Sequence, residues 1–260
     1  MSTRTYEDDS GLDIRVQVHR RYSERTVDFY AWVVGHAPWR GGDAVLDVGC
    51  GNGILFPYFE GHNARVTALD RSPGMIRRAR ARAPGVRLLV GDGQWLPFPE
   101  ATFDLVFAVH VLFLVENIEQ ALGEAWRVLK EGGHFIASTN TVESQSPLYR
   151  VHERALASVG RSCGAPLHRR FSLRRGAEMV RRVFGNAQID VLRNAFLFPS
   201  VDVAWAYYMS GLVDDVDGPR LSPEEREQVG RAARALMEEI FSQHSIWRVP
   251  KDAGVIVARK

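Results

Sequence analysis

The stretch VLDVGCGNG, residues 45–53, passes from an apolar run into a loop with glycine at every second position. Glycines at 49, 51 and 53 let the backbone turn sharply and leave no side chain between the main chain and a ligand. A dinucleotide fingerprint G-x-G-x-x-G requires glycine at position 54, where this chain has Ile54. Asp47, inside the strand end, would repel a pyrophosphate and attract a cationic or amine-bearing ligand. The loop therefore favours a nucleoside carrying positive charge over one carrying phosphates.

Outward from this loop, apolar runs alternate with helix-like stretches from about residue 43 to residue 138. AVLDVG, ARVTALD, VRLLVGD, FDLVFAVH and GGHFIAST read as strands. GILFPYFEGH, SPGMIRRARARA and IEQALGEAWRVLKEGG lie between them as helices; Ser72 suits an N-cap with Pro73 in the first turn, and Gly132-Gly133 reads as a stop signal. Such alternation predicts an α/β fold, a Rossmann-like, mostly parallel sheet covered on both faces. Its ligands belong beyond the C-terminal ends of the strands.

The flanks are more helical. Residues 12–36 predict one or two amphipathic helices and residues 144–186 further helix. AQIDVLRNAFLF reads as one strand, SVDVAWAYYMSGLVDD as an aromatic helix, and Ser222-Pro223 opens a charged one. DAGVIVARK closes the chain as a final strand, over 253–259. With no internal repeat and no low-complexity linker, the expectation is a single domain over 1–260: an N-terminal helical cap (12–36), a ligand-binding core (43–139), helices, a strand and a lid insertion (144–243), and the last strand.

Two further acids follow the first. Asp70 ends the second strand, 21 residues after Gly49, where a carboxylate can accept both hydroxyls of a ribose. Asp92 ends the third strand in GDGQWLPF, where it can accept from an exocyclic adenine amine. Three acids at the ends of three successive strands outline one ligand: amine, ribose, adenine.

On these residues the segment 43–139 resembles the class I S-adenosylmethionine-dependent methyltransferases, in particular the small-molecule branch that includes the ubiquinone and menaquinone biosynthesis enzymes. VLDVGCGNG, VTALDRSPGMIRRAR, GDGQWLPFPEATFDLVFAVHVLFLV and ALGEAWRVLKEGGHFIAST match its blocks in order and spacing over a little over a third of the chain. The resemblance implies a seven-stranded sheet whose last strand runs antiparallel to the rest. It implies S-adenosyl-L-methionine as cofactor, with S-adenosyl-L-homocysteine as product. Asp47, Gly49, Cys50, Gly51, Asn52 and Gly53 would hold the methionyl part, and Asp70 with Arg71 the ribose. Met75 would pack on the adenine, Asp92, Gly93 and Gln94 would reach its amine, and Val109 and His110 would line the pocket. Tyr22 resembles tyrosines that close over the donor in relatives.

Methyl transfer from a sulfonium needs positioning more than a strong base. His110 follows DLVFAV at the edge where donor and acceptor should meet, as a base for an acceptor proton or as a contact to the donor. His168 and His19 read as surface or helix residues. The family's LHH or YHV run reads Phe113-Leu114 here, which makes the acceptor side more apolar. Phe113, Leu114, Asn140, Trp205 and Tyr208 are the acceptor-side candidates, the last two with Tyr207 and Met209 as an aromatic lid or as a helix burying its own stripe.

The remaining composition excludes more than it selects. Two distant cysteines, Cys50 and Cys163, argue against a disulfide framework, and no cysteine–histidine cluster suggests a metal. A net charge of +2 gives little reason to expect nucleic acid. The arginine-rich runs around 71–87 and 168–184 read as solvated helix faces, with Met75, Ile76 and Ala79 inward and Arg77, Arg78, Arg80 and Arg82 outward. No window approaches the ~20 apolar residues of a membrane span, and MSTRTYEDDSGLD lacks a signal-peptide pattern. A cytoplasmic protein with a small-molecule acceptor is the expectation; the pattern is silent on oligomeric state. The alternatives are a protein of the same fold doing other chemistry such as cyclisation, an RNA methyltransferase using the arginines, and a dinucleotide oxidoreductase, which Ile54 and Asp47 disfavour.

Overall fold

The computed structural model describes residues 10–260; the polar opening of the chain, residues 1–9, lies outside them. The sequence predicts one domain, but the chain forms two compact units, each built from three separated segments. The first contains Val27–Thr141, Leu167–Leu192 and Ala253–Lys260, and the second the residues up to Thr26 with Val142–Pro166 and Arg193–Asp252.

The first unit holds the sheet. Its strands are β1 (Ala44–Val48), β2 (Arg65–Asp70), β3 (Arg87–Val90), β4 (Phe103–Val109), β5 (Leu129–Asn140), β6 (Gln188–Leu192) and β9 (Ala253–Arg259). They lie in the order β3-β2-β1-β4-β5-β9-β6. Neighbours from β3 through β5 pair in parallel, while β9 runs antiparallel to both β5 and β6. The seven-stranded sheet with a reversed final strand is thus as expected. Alternate strand residues feed two cores. Leu46, Val106, Phe135 and Ile256 face α5 (Ile118–Val128) and α7 (Leu173–Phe184). Val45, Leu105, Phe107 and Ile136 face α2 (Phe29–Val34), α3 (Phe56–Glu60) and α4 (Pro73–Arg82).

Helix starts follow their caps. Ser72 accepts from the Met75 N–H at 3.3 Å, and Asn117 from the Gln120 N–H at 3.0 Å. On α4, Ile76 and Ala79 are buried and Arg77, Arg80 and Arg82 exposed, as the pattern predicts. Two readings are corrected. Gly132-Gly133 does not stop a helix: α5 ends at Val128 and the pair lies inside β5, where the register against β4 shifts between Phe103 and Leu105. Gly132 takes φ +77°, and a Cβ on Gly133 would sit 3.0 Å from the Asp104 carbonyl oxygen. The run AQIDVLRNAFLF is two strands, because at Asn194 the chain passes from one unit to the other.

The second unit contains α1 (Ser10–Arg21), α6 (Ser146–Ala157), α8 (Val201–Met209) and α9 (Pro223–Gln243) with an antiparallel pair, β7 (Ala195–Phe198) and β8 (Trp247–Pro250). Strand β8 was not legible in the sequence. The core is aromatic: Phe196, Phe198, Tyr207, Tyr208 and Trp247, closed by Leu148, Val229, Ala233 and Met237. A capping box, Ser222 with Glu225, opens α9.

Candidate active site

The loop after β1 is threaded against the end of β2. The N–H groups of Gly49 and Cys50 both donate to the Leu69 carbonyl, at 2.7 and 3.1 Å. The Gly51 N–H donates to Asp70 Oδ2 at 2.9 Å, and the Ser72 N–H to Asp70 Oδ1 at 2.8 Å. Asp70 thus fastens two loops by charge-assisted bonds and keeps acceptor capacity on each oxygen.

The three glycines have different physical reasons. All have positive φ: +71° at Gly49, +55° at Gly51 and +77° at Gly53. A Cβ on Gly49 would lie 2.2 Å from Val111 Cγ2, and one on Gly53 2.4 Å from the Phe56 ring. At Gly51 a Cβ would meet nothing within 4 Å. Two glycines therefore serve packing, and only Gly51 opens onto space where a ligand can approach the main chain.

Asp47 lies at the end of β1 between Ala68 and Phe107 of the neighbouring strands and is only 1% exposed. Its Oδ2 is buried with no hydrogen-bond partner among the described residues. Burial, and secondarily the charge of Asp70, push its carboxyl up to about 8. A buried carboxyl with one unmet oxygen calls for a cationic donor. Cys50, beside it, has its thiol pushed far up by the same desolvation and the two acids, so it is inert as a nucleophile.

Beyond β3, a Cβ on Gly93 would lie 2.8 Å from Val48 Cγ1, so glycine there lets the 92–94 loop close on β1. Asp92 Oδ1 accepts the Gln94 N–H at 2.9 Å, and the Gln94 amide donates to both Asp92 oxygens at 3.1 and 3.0 Å. Gln94 Oε1 accepts from the Asn117 N–H at 2.8 Å, tying the loop to the start of α5. Gln94 is thus largely committed to holding its own loop. Met75 sits half-buried in the first turn of α4, Asn52 is half-buried, and Arg71 is exposed.

His110 ends β4 with φ +52°, a left-handed conformation rare for a side chain of its size, held by its N–H to the Ser138 carbonyl at 3.1 Å. Its ring lies 5.1 Å from Phe29 and 6.4 Å from Phe113. Burial, and then the neighbouring His168, push its pKa down to about 4, so the imidazole is neutral at pH 7. Val109 pairs with Ser138 on β5, whose last residue is the half-buried Asn140. Leu114 is exposed, and the Phe113 carbonyl is held by Arg170 at 3.2 Å.

The structure thus brings Asp47, Gly49, Cys50, Gly51, Asp70, Gly93 and the Asp92–Gln94 loop to one end of the sheet. Sequence reading missed Phe29, which stacks on His110 from a distant segment. It also misplaced His168, which is buried rather than on the surface. No local pattern marks either contact.

Tyr22, Trp205 and Tyr208 belong to the second unit. Tyr22 lends its carbonyl to the Leu197 N–H at 2.7 Å. The Trp205 N–H donates to the Gly230 carbonyl at 2.8 Å, joining α8 to α9. Tyr208 is 0% exposed and its hydroxyl donates to His152 Nδ1 at 2.7 Å. Tyr208 is therefore an interior packing residue of that unit, not a wall side chain.

Among the described residues there is no group of three or more potential metal ligands, and no helix is long and apolar enough to cross a membrane.

A reversed-end parallel sheet with acids at three successive strand ends, one of them buried and unmet, defines a nucleoside-binding protein suited to a cationic ligand. Comparison with known proteins agrees. The family described as "Methyltransferase domain" matches residues 46–137. The chain is 34% identical to phosphatidylethanolamine N-methyltransferase of Cereibacter sphaeroides over 63% of its own length and 78% of that protein's. It is 38% identical to malonyl-[acyl-carrier protein] O-methyltransferase of Serratia marcescens over 38% of each chain. With demethylmenaquinone methyltransferase of Tropheryma whipplei the figures are 38% identity, 44% of this chain and 49% of that one. The chain thus spans less than half of the latter two relatives. Among solved structures, a candidate methyltransferase of Bacillus halodurans superposes with a TM-score of 0.63 at 18% identity, covering 90% of this chain and 99% of that one. The 4+2 cyclase SpnF does so with 0.55 at 18%, covering 92% and 85%. The chain belongs to the class I S-adenosylmethionine-dependent methyltransferases.

Proposed function

We propose that the protein transfers a methyl group from S-adenosylmethionine to a small, apolar or aromatic acceptor by in-line displacement. The observation that carries this reading is the buried, unmet oxygen of Asp47 beneath an open glycine, with Asp70 and Asp92 at the next two strand ends. Asp47 would take the donor's amine, with the Gly49–Gly51 backbone against its methionyl chain. Asp70 would take the ribose hydroxyls, Met75 would pack on the adenine, and Asp92 with Gly93 would meet the adenine edge. The bound cofactor supplies a methyl already activated on a sulfonium. What remains for the protein is orientation and the exclusion of water, which can be worth as much as ~7–11 kcal/mol.

The acceptor side of this unit is apolar. Phe29 and Phe113 border His110, with Leu114 and Asn140 nearby in sequence on the same strand ends. This supports an apolar or aromatic acceptor, with neutral His110 as a contact that orients it. The relatives named above act on a lipid headgroup, a carrier-bound acid and a quinone precursor, so their names do not converge on one acceptor. The lack of a metal-ligand cluster among the described residues supports a metal-free transfer.

Calorimetric titration with S-adenosylmethionine and S-adenosylhomocysteine, repeated on Asp70→Ala, tests the cofactor. Micromolar binding that collapses in the variant supports the reading; absence of binding to the intact protein overturns it. The likeness to a cyclase keeps a second chemistry in view. Methylated product formed in proportion to S-adenosylhomocysteine removes that second reading, and turnover without it favours it.

A further inference from the structure

The chain has 33 basic residues, of which only three are lysines: Lys130, Lys251 and Lys260. Lys130 is paired with Asp104 at 2.8 Å. Lys260 donates to the Leu129 and Arg127 carbonyls, at 2.8 and 3.4 Å, and lies over the Trp126 ring. Lys251, in the second unit, is different. Its ammonium donates to Ser23 Oγ and to His19 Nδ1, the latter at 3.3 Å, and sits 4.7 Å from the centre of the Phe196 ring. None of these partners carries a negative charge.

The surroundings explain why no acid reaches it. Strand β8 ends at Pro250, and the Lys251 N–H is fixed to the Asn194 carbonyl at 2.9 Å. Asp252 next to it accepts the Asn194 N–H at 2.9 Å, and Glu24 holds Arg248 through both oxygens at 2.8 Å. The Ser23 hydroxyl hydrogen is engaged by the His19 carbonyl, so Ser23 can only accept from the lysine. Meanwhile the last turn of α1 presents His19, Arg20 and Arg21, all exposed. Elsewhere in the same unit partly buried cations are neutralised: Arg161 by Glu225 at 3.4 Å and Arg226 by Asp214 at 2.8 Å.

We propose that Lys251, positioned by Ser23 and His19 and flanked by Arg20 and Arg21, is the charged anchor of a site for an oxyanion, a carboxylate or a phosphate. An ammonium has three N–H donors, and the structure assigns two of them, to the serine and the histidine. The third, on a cation without a counter-charge, is what an anionic oxygen completes. A half-buried cation pays for its desolvation unless an anion joins it. Consistent with that, burial alone pushes Lys251 down to about 8, with no acid offsetting it. Its ammonium still predominates at pH 7.

Having three lysines makes the test direct. The full chain is labelled with lysine carrying 13C at Cε and titrated at pH 7 with sodium phosphate or sodium acetate against sodium chloride at constant ionic strength. Lys251→Met identifies the Lys251 signal; should that variant fail to fold, Lys130→Gln and Lys260→Gln identify it by elimination. The expected result is a saturable shift confined to Lys251, with a Kd on the order of 1–10 mM for the free anion. Saturation by acetate but not phosphate assigns the site to a carboxylate, and the converse to a phosphate. A Lys251 signal that stays still with both anions, or drifts without saturation together with those of Lys130 and Lys260, overturns the proposal.

Discussion

The Gly51 N–H donates to Asp70 Oδ2 at 2.9 Å, so the glycine loop and the acid at the end of β2 are one mechanical object. Asp70 has two tasks in this arrangement: it shapes the loop and it presents oxygen to the ribose. Replacing it with alanine removes two backbone partners, those of Gly51 and Ser72. A hydrogen bond to a charged group is worth about 1.5–3 kcal/mol. We expect Asp70→Ala to weaken S-adenosylmethionine binding by roughly 100-fold, and Asp70→Asn, which can keep one acceptor, by roughly tenfold. Calorimetry on both variants checks this, and equal affinities for the two would contradict the dual role.

Gly49 and Gly51 separate stability from binding. Alanine at 49 would set its methyl 2.2 Å from Val111 Cγ2, and the chain must give way. Alanine at 51 meets no protein atom within 4 Å, so its cost is the left-handed backbone at φ +55°, about 1–2 kcal/mol. The expected outcome is a large drop in Tm for Gly49→Ala. Gly51→Ala should lower Tm by only a few degrees yet lose donor binding. Thermal melts with and without S-adenosylhomocysteine distinguish the two.

The sheet and the strand-end acids were legible because they are local. Asp47, Asp70 and Asp92 each end an apolar run, and the runs alone place them side by side. Asn194 was not legible as a boundary, because its role is tertiary: its side chain accepts the Arg25 N–H at 3.0 Å and donates back to the Arg25 carbonyl at 2.9 Å. Nothing in DVLRNAFLF announces that partner. Phe29 on His110 is of the same kind, since a ring contact across eighty residues leaves no mark in either segment. Gly132-Gly133 misled because glycines that end helices and glycines that bulge strands look alike in sequence.

Asp47 makes the free protein pH-sensitive. Its carboxyl is raised to about 8 in the folded chain from an ordinary value of 3.8. Between those values the unfolded chain binds fewer protons than the folded one, so this group erodes stability as pH rises from about 4 to 8. Asp47→Asn removes that erosion. We expect the variant to melt about 2–4 °C higher than the parent at pH 8, for a gain of ~1 kcal/mol, with the difference vanishing near pH 4. It should also bind S-adenosylmethionine at least tenfold more weakly, having lost the counter-charge. In the parent, a cation beside Asp47 lowers its pKa, so binding at pH 7 should release protons. Titrations in buffers of different ionisation enthalpy measure that release, and no release would show that the amine lies elsewhere.

His110 is neutral across the physiological range, because its pKa is pushed down to about 4 from 6.5 by burial and by His168. Its protonation would therefore leave no inflection in the rate near pH 6.5. The imidazole charges only in acid, and this buried group contributes a loss of stability as pH falls from about 6.5 through 4. Asparagine tolerates φ +52° and removes the ring that stacks on Phe29, so His110→Asn isolates the side chain from the backbone. As an orienting contact, His110 predicts that the variant raises KM for the acceptor about tenfold while kcat falls less than tenfold. As a general base it would instead lower kcat by about 10²–10⁴ with KM little changed. Steady-state rates of the two proteins between pH 6 and 8, with S-adenosylhomocysteine as the measured product, separate positioning from proton removal.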